Sequence, residues 1–123
     1  MLRGCERMLR KLCKSKIHGA AVTETNLGYS GSIVIDEGLM NRAGILPNEM
    51  VLVANINTGA RFETYAIAGK RDSGVIGLQG AAARLGKVGD RLIIFSYIFL
   101  EEKEAAAHKM KAVLVDDKNK PIG

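Results

Sequence analysis

Val51-Leu52-Val53-Ala54-Asn55-Ile56-Asn57-Thr58-Gly59-Ala60-Arg61-Phe62-Glu63-Thr64-Tyr65-Ala66-Ile67-Ala68 decides the fold class of this 123-residue chain. A β-branched run from Val51 to Ile56 meets a turn signal at Asn57-Thr58-Gly59, and a second run follows from Arg61 to Ala68. In the second run Phe62, Thr64, Ala66 and Ala68 alternate with Glu63, Tyr65 and Ile67, the period of a half-buried strand.

Working upstream, Leu46-Pro47-Asn48-Glu49 is a turn, and Glu37 to Ala43 is a short helix between an N-cap at Asp36 and a C′ glycine at Gly44. Ser32 to Ile35 reads as a short buried strand. The N-terminal stretch leaves two readings open. Leu2, Cys5, Leu9 and Leu12 recur at helical steps, while Met8 to His18 also suits an edge strand rich in basic residues.

Downstream, Asp72-Ser73-Gly74 turns into a strand from Val75 to Leu78, and Gly80-Ala81-Ala82-Ala83 is a tight turn opening one helical turn. Gly89-Asp90 precedes the longest strand, Leu92 to Phe99. A short helix, Glu101 to His108, and a last strand, Ala112 to Val115, follow. Asp116 to Gly123 is a polar tail expected to fray. Some six short strands punctuated by turn signals, with 14 glycines in the chain, predict a mainly β fold, a small closed barrel with short helices.

Length and composition bound the rest. Residues 1–123 suffice for a single domain, and 47% hydrophobic with 25% charged residues is ordinary globular composition. The apolar run Leu92 to Leu100 falls short of the roughly 18 residues of a membrane span, and the basic N-terminus lacks the apolar stretch of a signal peptide. A cytoplasmic protein away from membranes is the expectation. Cys5 and Cys13 fit no common zinc spacing, and neither His18 nor His108 has a partner at metal-ligand spacing, so no metal is expected. No Walker loop, GxGxxG or GxSxG motif is present. The net charge of +5 is concentrated early, at Arg3, Arg7, Arg10, Lys11, Lys14 and Lys16. A basic barrel binding nucleic acid is therefore a rival reading. The absence of tryptophan and of aromatics among these basic residues gives it little support.

Four stretches carry the chemistry: Lys16-Ile17-His18, Tyr29-Ser30-Gly31-Ser32, Asn57 to Tyr65, and Gly80-Ala81-Ala82-Ala83. Together, in order from about Met8 to about Asp117, they resemble the aspartate 1-decarboxylase family, whose members are pyruvoyl-dependent. The resemblance implies a six-stranded double-psi β-barrel, a homotetramer, and a proenzyme that cuts itself between Gly31 and Ser32. The products would be a light chain, residues 1–31, and a catalytic chain, residues 32–123. The Ser32 hydroxyl would attack the Gly31 carbonyl, and Ser32 would end as the pyruvoyl group that forms a Schiff base with substrate. Glycine at 31 is expected to admit a strained turn.

The same resemblance implies L-aspartate as substrate, β-alanine and carbon dioxide as products, and a role in pantothenate and coenzyme A biosynthesis. L-glutamate is the alternative small acidic substrate. Residue by residue, Thr64 would assist the oxyanion, Tyr65 would return a proton, and Arg61 and Lys16 would bind substrate carboxylates. His18 would orient or hydrogen-bond, and Gly80, Ala81 and Ala82 would bring backbone N–H groups to the anion. The chain departs from the family pattern at Ser30, where an acidic residue is frequent, and at Gln79, where asparagine is frequent. Residues 1–7 stand as an N-terminal extension and residues 117–123 as a polar tail. Whether maturation uses a helper protein is not written in the sequence.

Overall fold

The computed structural model describes residues 7–123. The hairpin forms as read. Strand β4 (Met50–Asn55) pairs antiparallel with β5 (Arg61–Gly69), Val53 opposite Phe62 and Met50 opposite Tyr65. Asn55 shapes the turn between them, because its Oδ1 accepts from the N–H groups of Asn57 and Thr58 at 2.9 and 3.2 Å.

The strand before the hairpin, β3 (Ser32–Asp36), lies parallel to β5 with Ile33 beside Ala66. It runs directly into α1 (Glu37–Ala43). Asp36 caps that helix through Gly38 N–H at 2.7 Å and also accepts from Asp72 and Gly74 N–H at 3.0 and 2.8 Å. Burial works against the charged form of Asp36, yet these donors outweigh it and hold the carboxyl below its ordinary range. At the other end Gly44 takes φ 71°, the left-handed conformation that closes a helix.

On the far side of β3 runs β6 (Ile76–Gln79), antiparallel, placing Gln79 opposite Ser32. A 3₁₀ helix (Gly80–Leu85) follows. The remaining elements are β7 (Arg91–Glu101), α2 (Glu102–Ala107) and β8 (Lys111–Leu114), with β1 (Leu9–Ala21) and β2 (Glu24–Asn26) at the start. The strand order is β2-β6-β3-β5-β4-β7-β1-β8. β1 and β2 stand near opposite ends of that order, yet only Val22 and Thr23 separate them. The sheet must therefore curl until its ends meet. Thr23 N–H reaches Ile76 O at 2.8 Å and Val22 N–H reaches Asp90 O at 2.9 Å at the seam. The result is a small, mainly β barrel with short helices. Inside it Ile17, Ile33, Val51, Val53, Leu78, Leu92 and Ile94 are fully buried. Each such side chain contributes about 1.5–3 kcal/mol on burial.

Three expectations change. The interior six strands match the expected number, but two short end strands, β2 and β8, bring the total among the described residues to eight. The helical alternative at the N-terminus gives way to β1 over Leu9 and Leu12, while Leu2 and Cys5 lie outside the described residues. β1 is also no edge, being covered by β7 on one side and β8 on the other. Finally, the tail does not fray. Asp116 Oδ1 accepts from Lys118 and Lys120 N–H at 2.8 and 2.9 Å, and Val115 bridges Pro121. Asn119 is only 1% exposed and pairs its amide with both backbone groups of Ala21. Local turn chemistry plus one buried amide overcomes a polar composition.

Candidate active site

Ser32 opens β3 and is fully buried. Its hydroxyl donates to Gln79 Oε1 at 3.0 Å, across the antiparallel pair that the two residues form. Immediately after Gln79, Gly80 turns to φ 65° and starts the 3₁₀ helix. A Cβ on Gly80 would lie 2.6 Å from Gly31 N and 2.7 Å from both Gly31 Cα and Tyr29 O. Only glycine allows the Tyr29–Gly31 backbone to rest there. Gly31 itself lies outside the left-handed region, and a Cβ there would stand 3.9 Å from Gln79 O, an ordinary contact. Neither its φ nor the space at its Cβ therefore requires glycine at position 31. The conformational demand falls on Gly80, because that residue must both reverse the chain after β6 and receive the loop before β3.

β5 supplies the next two residues. Since Ile33 lies beside Ala66 in the parallel pair, Tyr65 stands level with Ser32 and Thr64 one residue before it. Thr64 is buried and Tyr65 half-buried, as the strand's alternation requires. Ala82 is buried and Ala81 exposed on the 3₁₀ helix that carries them. Ser32, Gln79, Gly80, Ala82, Thr64 and Tyr65 therefore gather where β3, β5 and β6 meet.

Arg61 starts β5 four residues before Tyr65 and on the same face of that strand, whereas Lys16 and His18 belong elsewhere in the chain's own fold. His18, Ile93, Ala54 and Arg61 form one row across β1, β7, β4 and β5, and Lys16, Phe95, Leu52 and Glu63 form the next. These side chains face outward, because the alternate residues Ser15, Ile17 and Val53 are buried. Three strand spacings, about 14 Å, separate the backbones of His18 and Arg61. Arg61 is exposed, its guanidinium 6.0 Å from the centre of the Phe95 ring. His18 Nδ1 is the one buried side-chain nitrogen or oxygen without a hydrogen-bond partner among the described residues. Lys16 and His18 stand on β1, which the strand order sets apart from β3 on the outer wall, so a single chain does not assemble the whole set.

The early basic cluster is largely paired. Arg7 binds Glu101, Arg10 binds Glu102 at 2.7 Å, and Lys14 reaches Gly44 O at 2.6 Å and Glu49 at 3.3 Å. Lys11 lies 4.1 Å over the Tyr97 ring. Arg3 lies outside the described residues. Two supports were missed by sequence reasoning. Gln79 stood out only as a departure, and Asn55, buried, also donates to Leu85 O and Asp90 Oδ2 at 3.1 and 3.0 Å. It ties the Arg61 hairpin to the end of the 3₁₀ helix. An asparagine opening a turn was its signal.

Among the described residues no helix is long and apolar enough to cross a membrane. A family model described as aspartate decarboxylase matches residues 8–122. A relative from Caldicellulosiruptor saccharolyticus named aspartate 1-decarboxylase is 60% identical over 115 residues, covering 94% of this chain and 90% of its own. Relatives of the same name from Thermoanaerobacter pseudethanolicus and Bacillus subtilis are 57% and 54% identical, covering 94% and 92% of this chain and 98% and 89% of their own. On a match that spans the barrel from β1 through the docked tail, the chain belongs to the aspartate decarboxylase family.

Proposed function

We propose that this chain is a carboxy-lyase that converts L-aspartate to β-alanine and carbon dioxide in pantothenate and coenzyme A biosynthesis in the cytoplasm. It does so after cutting itself between Gly31 and Ser32. The observation that carries the proposal is the buried Ser32 hydroxyl at the head of β3, fixed by Gln79 and preceded by a loop resting on Gly80.

Breaking the chain needs only groups already there, and forming the ketone afterwards takes one water from solvent. Ser32 Oγ attacks the Gly31 carbonyl carbon. The new C–O bond replaces the C–N bond, and the hydroxyl proton ends on the Ser32 nitrogen. Loss of the Ser32 Cα proton then expels Gly31 as a carboxylate and leaves dehydroalanine. Water adds to that residue and ammonia leaves, giving a ketone at the new N-terminus. Thr64, buried beside this point on β5, is suited to stabilise the oxyanion of the first step. The Ser32 position fits a pyruvoyl group because it is enclosed, polar on one side through Gln79 and flanked by small residues at Gly31 and Gly80. Such a group supplies a carbonyl that engages the substrate amine and draws off the electrons released with carbon dioxide.

The other residues bind, orient and move protons. Tyr65, level with Ser32, is the proton donor to the substrate carbon. Gly80, Ala81 and Ala82 would offer backbone N–H groups to a carboxylate once the cut frees the loop that rests on Gly80. Arg61 offers a bidentate contact to a carboxylate, Lys16 adds a second positive charge, and His18, whose Nδ1 is buried without a partner, would orient or hydrogen-bond. Lys16 and His18 stand on β1, apart from β3, so they would serve the Ser32 site of an adjacent copy. The homotetramer that the family resemblance implies would supply such a neighbour at each site.

The test is β-alanine formation from L-aspartate by the purified protein, with L-glutamate and Ser32→Ala as controls. Aspartate turnover that Ser32→Ala abolishes supports the proposal. Turnover confined to glutamate, or retained by Ser32→Ala, contradicts it.

A further inference from the structure

The polar partner of Ser32 is a neutral amide, and its geometry says how the uncut chain is prepared. Ser32 and Gln79 sit directly opposite in the antiparallel β3–β6 pair, so their side chains meet on one face. The Ser32 hydroxyl gives its proton to Gln79 Oε1 at 3.0 Å. A hydroxyl has one donor and two lone pairs. With the proton directed at Gln79, both lone pairs stay free for the carbonyl carbon of the residue before. The loop that leads into Ser32 is held too, since Gly31 N and Cα and Tyr29 O lie against Gly80, the residue after Gln79. Gln79 at the end of β6 and Gly80 just after it therefore hold the hydroxyl and the loop that precedes it, one by a hydrogen bond and the other by close backbone contact.

We infer that Gln79 is a positioning residue for self-cleavage, its side-chain oxygen aiming the Ser32 hydroxyl at the Gly31 carbonyl. The inference rests on the self-cleavage proposed above. Gln79 takes no proton, because an amide oxygen is too weak a base. The hydroxyl proton finishes on the Ser32 nitrogen as the C–N bond breaks, and no other reactant is required. The side chain's length matters as well as its oxygen, because it spans from one strand to its neighbour.

The experiment follows the uncut chain from cell-free synthesis by intact mass against time, for wild type, Gln79→Met and Gln79→Glu. Methionine keeps the length and removes the acceptor. Its cleavage is expected to slow about tenfold, equivalent to about 1.4 kcal/mol. Glutamate restores an acceptor of the same reach, so its rate at neutral pH should return to at least the wild-type value. It should also bring a pH dependence in the carboxylate range that wild type lacks, since the protonated acid can donate instead of accept. A purely structural role for Gln79 produces no such inflection. Gln79→Met cutting within twofold of wild type overturns the inference, as does a Gln79→Glu pH profile that overlays wild type. Should Gln79→Met fail to fold, the glutamate profile decides alone. A wild-type chain that stays whole refutes the self-cleavage reading itself, an outcome separate from wild type and Gln79→Met cutting at equal rates.

Discussion

Asn119→Ala is expected to destabilise the protein by about 3 kcal/mol, most of it through one buried amide. Asn119 Nδ2 donates to Gly74 O at 2.7 Å in a buried contact and to Ala21 O at 2.8 Å, while its Oδ1 accepts from Ala21 N–H at 2.7 Å. Leaving the buried Gly74 carbonyl unpaired costs about 1–3 kcal/mol. The Ala21 pair is half-exposed, so water recovers part of it and its loss costs about 0.5–1 kcal/mol. Asn119 also holds φ 60°, which alanine tolerates at a cost of roughly 1 kcal/mol and glycine without penalty. For a domain of this size the total lowers Tm by about 12 °C. Asn119→Gly removes the same hydrogen bonds and spares the backbone term, so the two variants separate the contributions. Scanning calorimetry reads both. A drop under about 3 °C for Asn119→Ala would refute the reasoning and return residues 117–123 to the status of a loose tail. The stitch also joins segments on either side of the Gly31–Ser32 peptide, so in cut protein its loss should promote release of residues 1–31 on gel filtration.

Asp36→Asn should lower Tm by several degrees at neutral pH, because three inward N–H donors lose a carboxylate. The folded carboxyl is held below its ordinary value, so its stabilisation is complete above the unfolded pKa of about 3.9 and fades as pH falls through the folded one. Thermal melts from pH 8 to 3 should accordingly show a constant gap to wild type that narrows only below about pH 4. Arg61→Lys keeps the charge and loses the bidentate fork, so steady-state β-alanine assays should show KM raised roughly tenfold with a smaller change in kcat. Tyr65→Phe should still mature, as seen by mass, while kcat falls by about 10²–10⁴.

Much of the fold could be read in advance where local chemistry and tertiary packing agree. The Asp36 cap, the seven-residue helix and left-handed Gly44 all fall where the residues signal them. β1 was ambiguous because Leu9 and Leu12 fit a helical step, and only the flanking strands β7 and β8 decide for extended backbone. β2 carries no signal of its own. Glu24-Thr25-Asn26 is polar and short, and it becomes a strand because β6 offers an open edge. The tail was misjudged because the amide that anchors it meets Ala21 across 98 positions of sequence. At the site, the family resemblance pointed to Ser32, Tyr65 and Arg61. It was silent on the outward facing of Arg61, Lys16 and His18, which register and pleat determine. It was equally silent on the Ser32–Gln79 bond, which exists because β3 and β6 are paired in that register.

Intact mass spectrometry of the purified wild-type protein, with peptide mapping of the new ends, measures the claim on which the chemistry depends. Two chains should appear, joined formerly at Gly31–Ser32. The larger should begin with a blocked residue lighter by one ammonia than hydrolysis would leave. A single unbroken chain with full activity toward L-aspartate, or a break at any other peptide bond, would contradict the account.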